Sequence, residues 1–166
     1  MPDMVYSQAY ETYSENPNFE DSITMRMPVP GTVPRGIIPF RYAIDTVSRA
    51  KAGIELINPY EPTDQIIASG KILYTTFCTV CHGALGKGDG PIFVSGLYPL
   101  KPREISAEPT AKLKDGQIYH TITLGFGSMM PYRAQIKPED RWKIVHYVRV
   151  LQKEAQLSAA AVRDSL

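Results

Sequence analysis

Cys78-Thr79-Val80-Cys81-His82 is the stretch whose residue types and spacing point to a definite chemistry. Two thiols separated by two residues can add across the two vinyl groups of a haem. A histidine directly after the second thiol is placed to coordinate the iron from one side. The pattern therefore reads as a covalent attachment site for one haem c, held through Cys78 and Cys81. A short motif with two wildcards also recurs by chance, so its weight depends on its surroundings. The second chemical feature is Gly127-Ser128-Met129-Met130-Pro131-Tyr132. A thioether is a soft, neutral donor that suits haem iron opposite an imidazole, and such ligation raises the reduction potential. A methionine taken at random more often fills a gap in a core. Here the Met-Pro step restricts the backbone, and the loop lies between two expected helices downstream of the thiols. Met130 is the expected sixth ligand and Met129 the alternative, while Met25 and Met27 are less suited.

Other uses of these residues are weaker. A closed structural zinc site needs four ligands, and beyond the thiols the chain offers His82, His120 and His146; the adjacency of Cys81 and His82 makes a tetrahedron awkward. A thioredoxin-like pair would want strands alternating with helices, and period-two patterning is almost absent. His120 could replace Met130 as a ligand, but it falls inside an expected helix rather than a ligand loop; with His146 it reads as a surface or satisfied helix residue. Methionine and histidine together fill both axial positions of a haem. That leaves outer-sphere electron transfer rather than activation of peroxide or oxygen.

Three helices must position these groups. Thr63 or Asp64 can cap the first, with a body from Gln65 to about Phe77 whose Ile66, Ile67, Gly70, Leu73, Tyr74 and Phe77 form one apolar face. It delivers the thiols at its end. Gly70 inside it costs up to about 1 kcal/mol relative to alanine, which suggests close approach of another backbone. A glycine-rich run from Gly83 to Pro91 follows and must turn tightly over a haem edge. No strand precedes this run and no Lys-Ser/Thr pair ends it, so a phosphate loop is a poor reading. Residues 91–111 read as loop. A second helix is expected over Lys114 to Leu124, ended by Gly125 and Gly127. The third starts at Pro138, with Glu139 and Asp140 near the positive end of its dipole, and runs to about Gln156. Its Ile144, Tyr147, Val148 and Leu151 stripe is expected to cross the first helix near Gly70 and Tyr74.

The chain of 166 residues carries a net charge of +1, so neither nucleic acid nor a polybasic membrane contact is suggested. No apolar run approaches the about 20 residues needed to span a bilayer. Both cysteines lie in the motif, which leaves no disulfide framework. Eight of the fourteen prolines precede Thr63, and they break regular structure repeatedly. Tyr6, Tyr10, Tyr13, Phe19 and Tyr42 are interleaved with them, so this is not a typical disordered tail. Residues 1–61 are expected to be an extended arm docking on partner subunits or wrapping its own domain, 62–156 the haem domain, and 157–166 a C-terminal tail. Haem attachment takes place on the periplasmic side of energy-transducing membranes and implies export. Because no signal segment is visible, a mature or trimmed chain is expected.

The helix with Gly70 and Tyr74, the thiol motif, Gly88-Asp89-Gly90-Pro91, Met130-Pro131 and a final helix containing Trp142-Lys143-Ile144-Val145-His146-Tyr147 together resemble the class I cytochrome c domain over residues 62–155. That resemblance implies an all-α fold in which His82 and Met130 are axial ligands, Cys78 and Cys81 form thioethers, and the terminal helices cross. In the arm, Pro2-Asp3-Met4, Ser7-Gln8-Ala9-Tyr10-Glu11 and the run from Pro28 to Gly36 resemble the monohaem cytochrome c subunit of bacterial alternative complex III, a membrane quinol:electron-acceptor oxidoreductase. This second resemblance implies an electron-transfer subunit without a substrate site of its own. Its partners would be multihaem and integral-membrane subunits of the same complex, and a soluble acceptor or terminal oxidase. It also implies a periplasmic position on the inner membrane, held by a lipidated N-terminal cysteine. The sequence departs there, since no cysteine precedes Met1. The competing expectations are a freely diffusing cytochrome and a cytochrome subunit of another membrane oxidase or dehydrogenase.

Overall fold

In the computed structural model, residues 8–33, 35 and 39–164 are described. They divide into two compact units, Met1–Phe40 and Arg41–Leu166. Among the described residues every regular element is helical and no strand forms, which is the expected all-α class. Of the arm motifs, Pro2-Asp3-Met4, Ser7, Pro34 and Gly36 lie outside the described residues.

The first unit holds no helix among its described residues, as its prolines dictate. From Ser14 to Thr24 the chain doubles back on itself. Glu15 pairs antiparallel with Ile23, the Asn16 N–H donates to the Ser22 carbonyl at 3.0 Å, and the Thr24 hydroxyl donates to the Ser14 carbonyl. Arg26 closes this loop, paired with Asp21 and lying 4.5 Å over the Phe19 ring. Tyr13 and Met27 stay 91% and 90% exposed, so this unit leaves large apolar side chains in water.

The second unit is built on the crossing of α2 (Asp64–Phe77) and α6 (Pro138–Asp164). Thr63 caps α2 by accepting from the Ile66 N–H. At the crossing a Cβ on Gly70 would overlap the Lys143 carbonyl, so only glycine lets the two backbones meet. Tyr74 and Tyr147 pack edge to face beside it, 5.3 Å between centroids. Ile144, Val145, Val148 and Leu151 form the buried face of α6. α5 (Asp115–Leu124) packs on α6 and buries Ile118, Tyr119 and Ile122; Tyr119 stacks on Trp142 at 4.1 Å. α6 continues to Asp164, so the alanine-rich residues after Gln156 extend the same helix.

Residues 41–61 were expected to belong to the arm, and the structure places them in the second unit instead. Within them α1 (Thr46–Glu55) forms, N-capped by Asp45, whose carboxylate accepts from the Ser48 N–H at 2.6 Å. Ala52 is fully buried, and its carbonyl lies where a side chain on Gly116 would have to go, so α1 and α5 approach closely. Imidazoles complete the attachment: His120 donates from Nε2 to the Ala43 carbonyl at 2.9 Å, and His146 to the Tyr60 carbonyl at 2.7 Å. The Asn58 side chain donates to the Trp142 carbonyl at 3.1 Å. The helix was missed because its apolar residues Val47 and Ile54 face water, leaving a single buried alanine as the amphipathic signal. The expected loop 91–111 also contains a short α4 (Pro91–Val94) and part of a 3-10 turn at Thr110–Lys112.

Candidate functional site

α2 ends at Phe77, and the chain turns at once into the single-turn α3 (Thr79–His82). Cys78 joins the two: its N–H donates to the Tyr74 carbonyl at 2.8 Å, and its own carbonyl accepts from His82 N–H at 2.8 Å and from Cys81 N–H at 3.2 Å. Positions i, i+3 and i+4 of a helical turn share a face, so the two thiols and the imidazole are presented together. The thiols are not joined to each other. Burial, reinforced by the neighbouring Cys81, pushes the Cys78 thiol up to about 12, which keeps it neutral.

His82 is oriented by a bond at its far nitrogen. Nδ1 lies 3.3 Å from the Arg103 carbonyl oxygen. A carbonyl only accepts, so the proton sits on Nδ1 and Nε2 keeps its lone pair for a metal. Burial also holds the imidazole below the ordinary histidine range, favouring the neutral form that ligation requires. Behind the ring, Gly83 adopts φ +75° and its carbonyl accepts from the buried Tyr74 hydroxyl at 3.0 Å. A side chain at Gly83 would collide with the Asp89 carboxyl, so the turn after His82 requires glycine. The following run folds back onto the attachment turn: Gly88 N–H donates to the His82 carbonyl at 2.9 Å, and Gly90 N–H to the Cys81 carbonyl at 3.1 Å.

The methionine loop follows α5 as a tight turn. Phe126 and Met129 exchange both backbone hydrogen bonds at 3.1 Å, and the Tyr98 hydroxyl donates to the Ser128 carbonyl at 3.1 Å. Beyond it, Tyr132 N–H donates to the Ile122 carbonyl at 3.0 Å. Met130 is 73% exposed, so it does not fill the protein core; Met129 is half-buried. Tyr132 links this loop to the thiols. Its ring meets Phe77 at 6.5 Å, and its phenol is held above the ordinary tyrosine range by burial and by the adjacent Cys81 and Cys78.

The donor set fits a covalently held haem: two thiols on one helical face, an imidazole with Nε2 available, and a thioether loop carried to the same region by Tyr132. It does not fit zinc, because no cluster of three His, Cys, Asp or Glu side chains forms among the described residues. His120 and His146 are engaged with backbone carbonyls of residues 43 and 60. Arg103 carried no motif of its own in the sequence, since its role arises from a carbonyl that a loop brings back to His82.

Residues 65–148 match the family model described as cytochrome c oxidase, cbb3-type, subunit III. No curated protein sequence matches the chain. Among solved structures, a component of the Kuenenia stuttgartiensis reducing HAO-like protein complex Kustc0457/Kustc0458 is 30% identical, with 59% of this chain and 48% of that one covered and a TM-score of 0.48. The chain thus spans about half the length of that structure. The KustC0563 c-type cytochrome is 29% identical, with 50% of this chain and 96% of that one covered and a TM-score of 0.41.

Proposed function

Because the chain belongs to the cytochrome c family described as cytochrome c oxidase, cbb3-type, subunit III, and so carries a haem c bound through Cys78 and Cys81, we propose that it is the electron-transfer subunit of a membrane quinol-oxidising complex of the alternative complex III kind. A haem held there would supply one-electron chemistry, which suits a subunit placed between a neighbouring haem and a soluble carrier or terminal oxidase. In this reading His82 and Met130 would hold the haem iron. The Arg103 carbonyl holds the imidazole in the ligating tautomer. Tyr74, through Gly83, fixes the turn behind it. The Phe126–Met129 pairing and Pro131 limit the movement of the thioether loop.

The observation that carries complex membership is the separate N-terminal unit, compact yet without a helix among its described residues, with Tyr13, Met27 and Val29 turned to solvent. A diffusing carrier has no need of such surface, whereas a subunit can bury it against its neighbours on the periplasmic side of the inner membrane. No helix among the described residues is long and apolar enough to cross a membrane. The family's description favours a second reading, a subunit of a membrane oxidase. Membranes dissolved in mild detergent and separated by size test both, following this chain by haem absorbance and mass. Co-elution with multihaem and quinol-oxidising membrane subunits supports the first reading, and co-elution with an oxidase core supports the second. Recovery at its own small mass without detergent would make it a diffusing carrier.

A further inference from the structure

Near the start of α6, Arg141 is only 5% exposed, and among the described residues no ion pair engages it. Its guanidinium is instead spread over three neutral acceptors. Nε donates to the Ile136 carbonyl at 3.0 Å, one terminal nitrogen donates to the Thr123 hydroxyl on α5 at 3.0 Å, and the other donates to the Arg133 carbonyl at 3.2 Å. The group also lies 5.6 Å from the centre of the Tyr119 ring. Burial holds Arg141 below the ordinary arginine range. A cation buried without an anion is costly, and an apolar side chain could fill the same space, so packing alone does not account for an arginine here.

The rigid fork joins segments that are otherwise separate. Arg133 and Ile136 belong to the turn that follows Met130-Pro131, in which the Gln135 and Ile136 N–H groups both donate to the Tyr132 carbonyl, at 3.2 and 3.0 Å. One side chain thus fastens this turn to α5 and α6. On the upstream side, a Cβ on Gly125 would overlap the Met129 carbonyl oxygen and lie 3.0 Å from the Pro131 nitrogen, so the end of α5 seats the same loop. The Met130 side chain is itself exposed and contributes little to holding the loop. We propose that Arg141 is a positioning residue for the thioether: by fixing the turn after Met130, it keeps that side chain on the haem iron and small exogenous ligands off it. The inference rests on the reading of Met130 as an iron ligand and is independent of membership in a larger complex.

The test compares the oxidised, haem-loaded full chain as wild type, Met130→Ala, Arg141→Lys, Arg141→Gln and Leu151→Ala, the last a core truncation elsewhere on α6 that lowers stability. The thioether-to-iron band, cyanide affinity and guanidinium unfolding are read for each. Lysine keeps the charge but cannot span three acceptors. Both Arg141 variants should weaken the band and bind cyanide about tenfold more tightly, the order expected for losing hydrogen bonds to a charged group. Leu151→Ala should lose stability yet keep the wild-type band and cyanide affinity. A wild-type band and affinity in both Arg141 variants, or an equal change in Leu151→Ala, would overturn the proposal. In the wild type, the Tyr132 and Ile136 amides should open no more slowly than cyanide binds. Cyanide binding through a closed turn would overturn it even if neither Arg141 variant loads haem. A wild type without the band, or a band that survives in Met130→Ala, refutes Met130 as ligand and the proposal with it. A band lost in Met130→Ala and intact in the Arg141 variants refutes the role of Arg141 alone.

Discussion

Gly70→Ala sets two effects of known sign against each other at the crossing of α2 and α6. Alanine gains up to about 1 kcal/mol over glycine in a helix interior. The added methyl, however, would overlap the Lys143 carbonyl oxygen and lie 3.2 Å from Tyr147 Cβ. Overpacking of a closed contact costs about 1–3 kcal/mol. The identity of the opposing atom decides the balance. The Lys143 carbonyl belongs to the backbone of α6 and has no rotamer by which to move aside. The helices must separate, loosening the Tyr74–Tyr147 contact and the Tyr74 bond to Gly83. A net loss of about 1–2 kcal/mol is expected, which for a chain of this size lowers Tm by about 2–8 °C. The assay is thermal and guanidinium unfolding of the haem-loaded protein, followed by far-UV circular dichroism and by haem absorbance. A Tm equal to or above that of the wild type is the outcome expected from helix propensity alone, and it would refute the close-approach argument.

Met130→Ala should leave the haem attached, lower the midpoint potential and open the iron to added imidazole or cyanide; an unchanged potential and spectrum would remove Met130 from the ligand set and direct attention to Met129. The Cys78→Ser/Cys81→Ser double variant should release its haem into acidified organic solvent, while retained haem would contradict thioether attachment. Tyr74→Phe strands the Gly83 carbonyl without its donor and should cost about 1–3 kcal/mol in guanidinium unfolding; a change below the error of the measurement would mean that water replaces the hydroxyl. Asp45→Ala removes the cap of α1 and should cost about 1 kcal/mol, with faster amide exchange confined to α1 and its contacts on α5, and uniform exchange across the chain would show that α1 is not docked as described.

The haem chemistry was legible in the chain because covalent attachment needs its groups close together along the sequence. Cys78, Cys81 and His82 lie within one helical turn, so local geometry presents them together whatever else the chain does. The three main helices were legible for a related reason. Each carries either a periodic apolar stripe or a recognisable start, such as Thr63 before α2 and Pro138 at α6, and Gly70 announced the close crossing. The boundary of α6 was set too early, at about Gln156, because its last turns are rich in alanine and lack an apolar stripe to mark where the helix leaves the core.

What surrounds the motif depended on contacts between segments far apart in the chain, which no local pattern encodes. α1 has little apolar face of its own; it lies against Gly116 through Ala52, and its flanking residues Ala43 and Asn58 are held by His120 and Trp142, many residues away. The domain therefore begins at Arg41 rather than at the last proline of the arm. The same holds for the groups that surround the thiols and His82. The choice of His82 tautomer and the placement of Tyr132 beside the thiols arise when loops close against one another. Short-range spacing specifies which atoms can bond a haem, and the long-range packing of this fold sets the charges and hydrogen bonds among which that haem works.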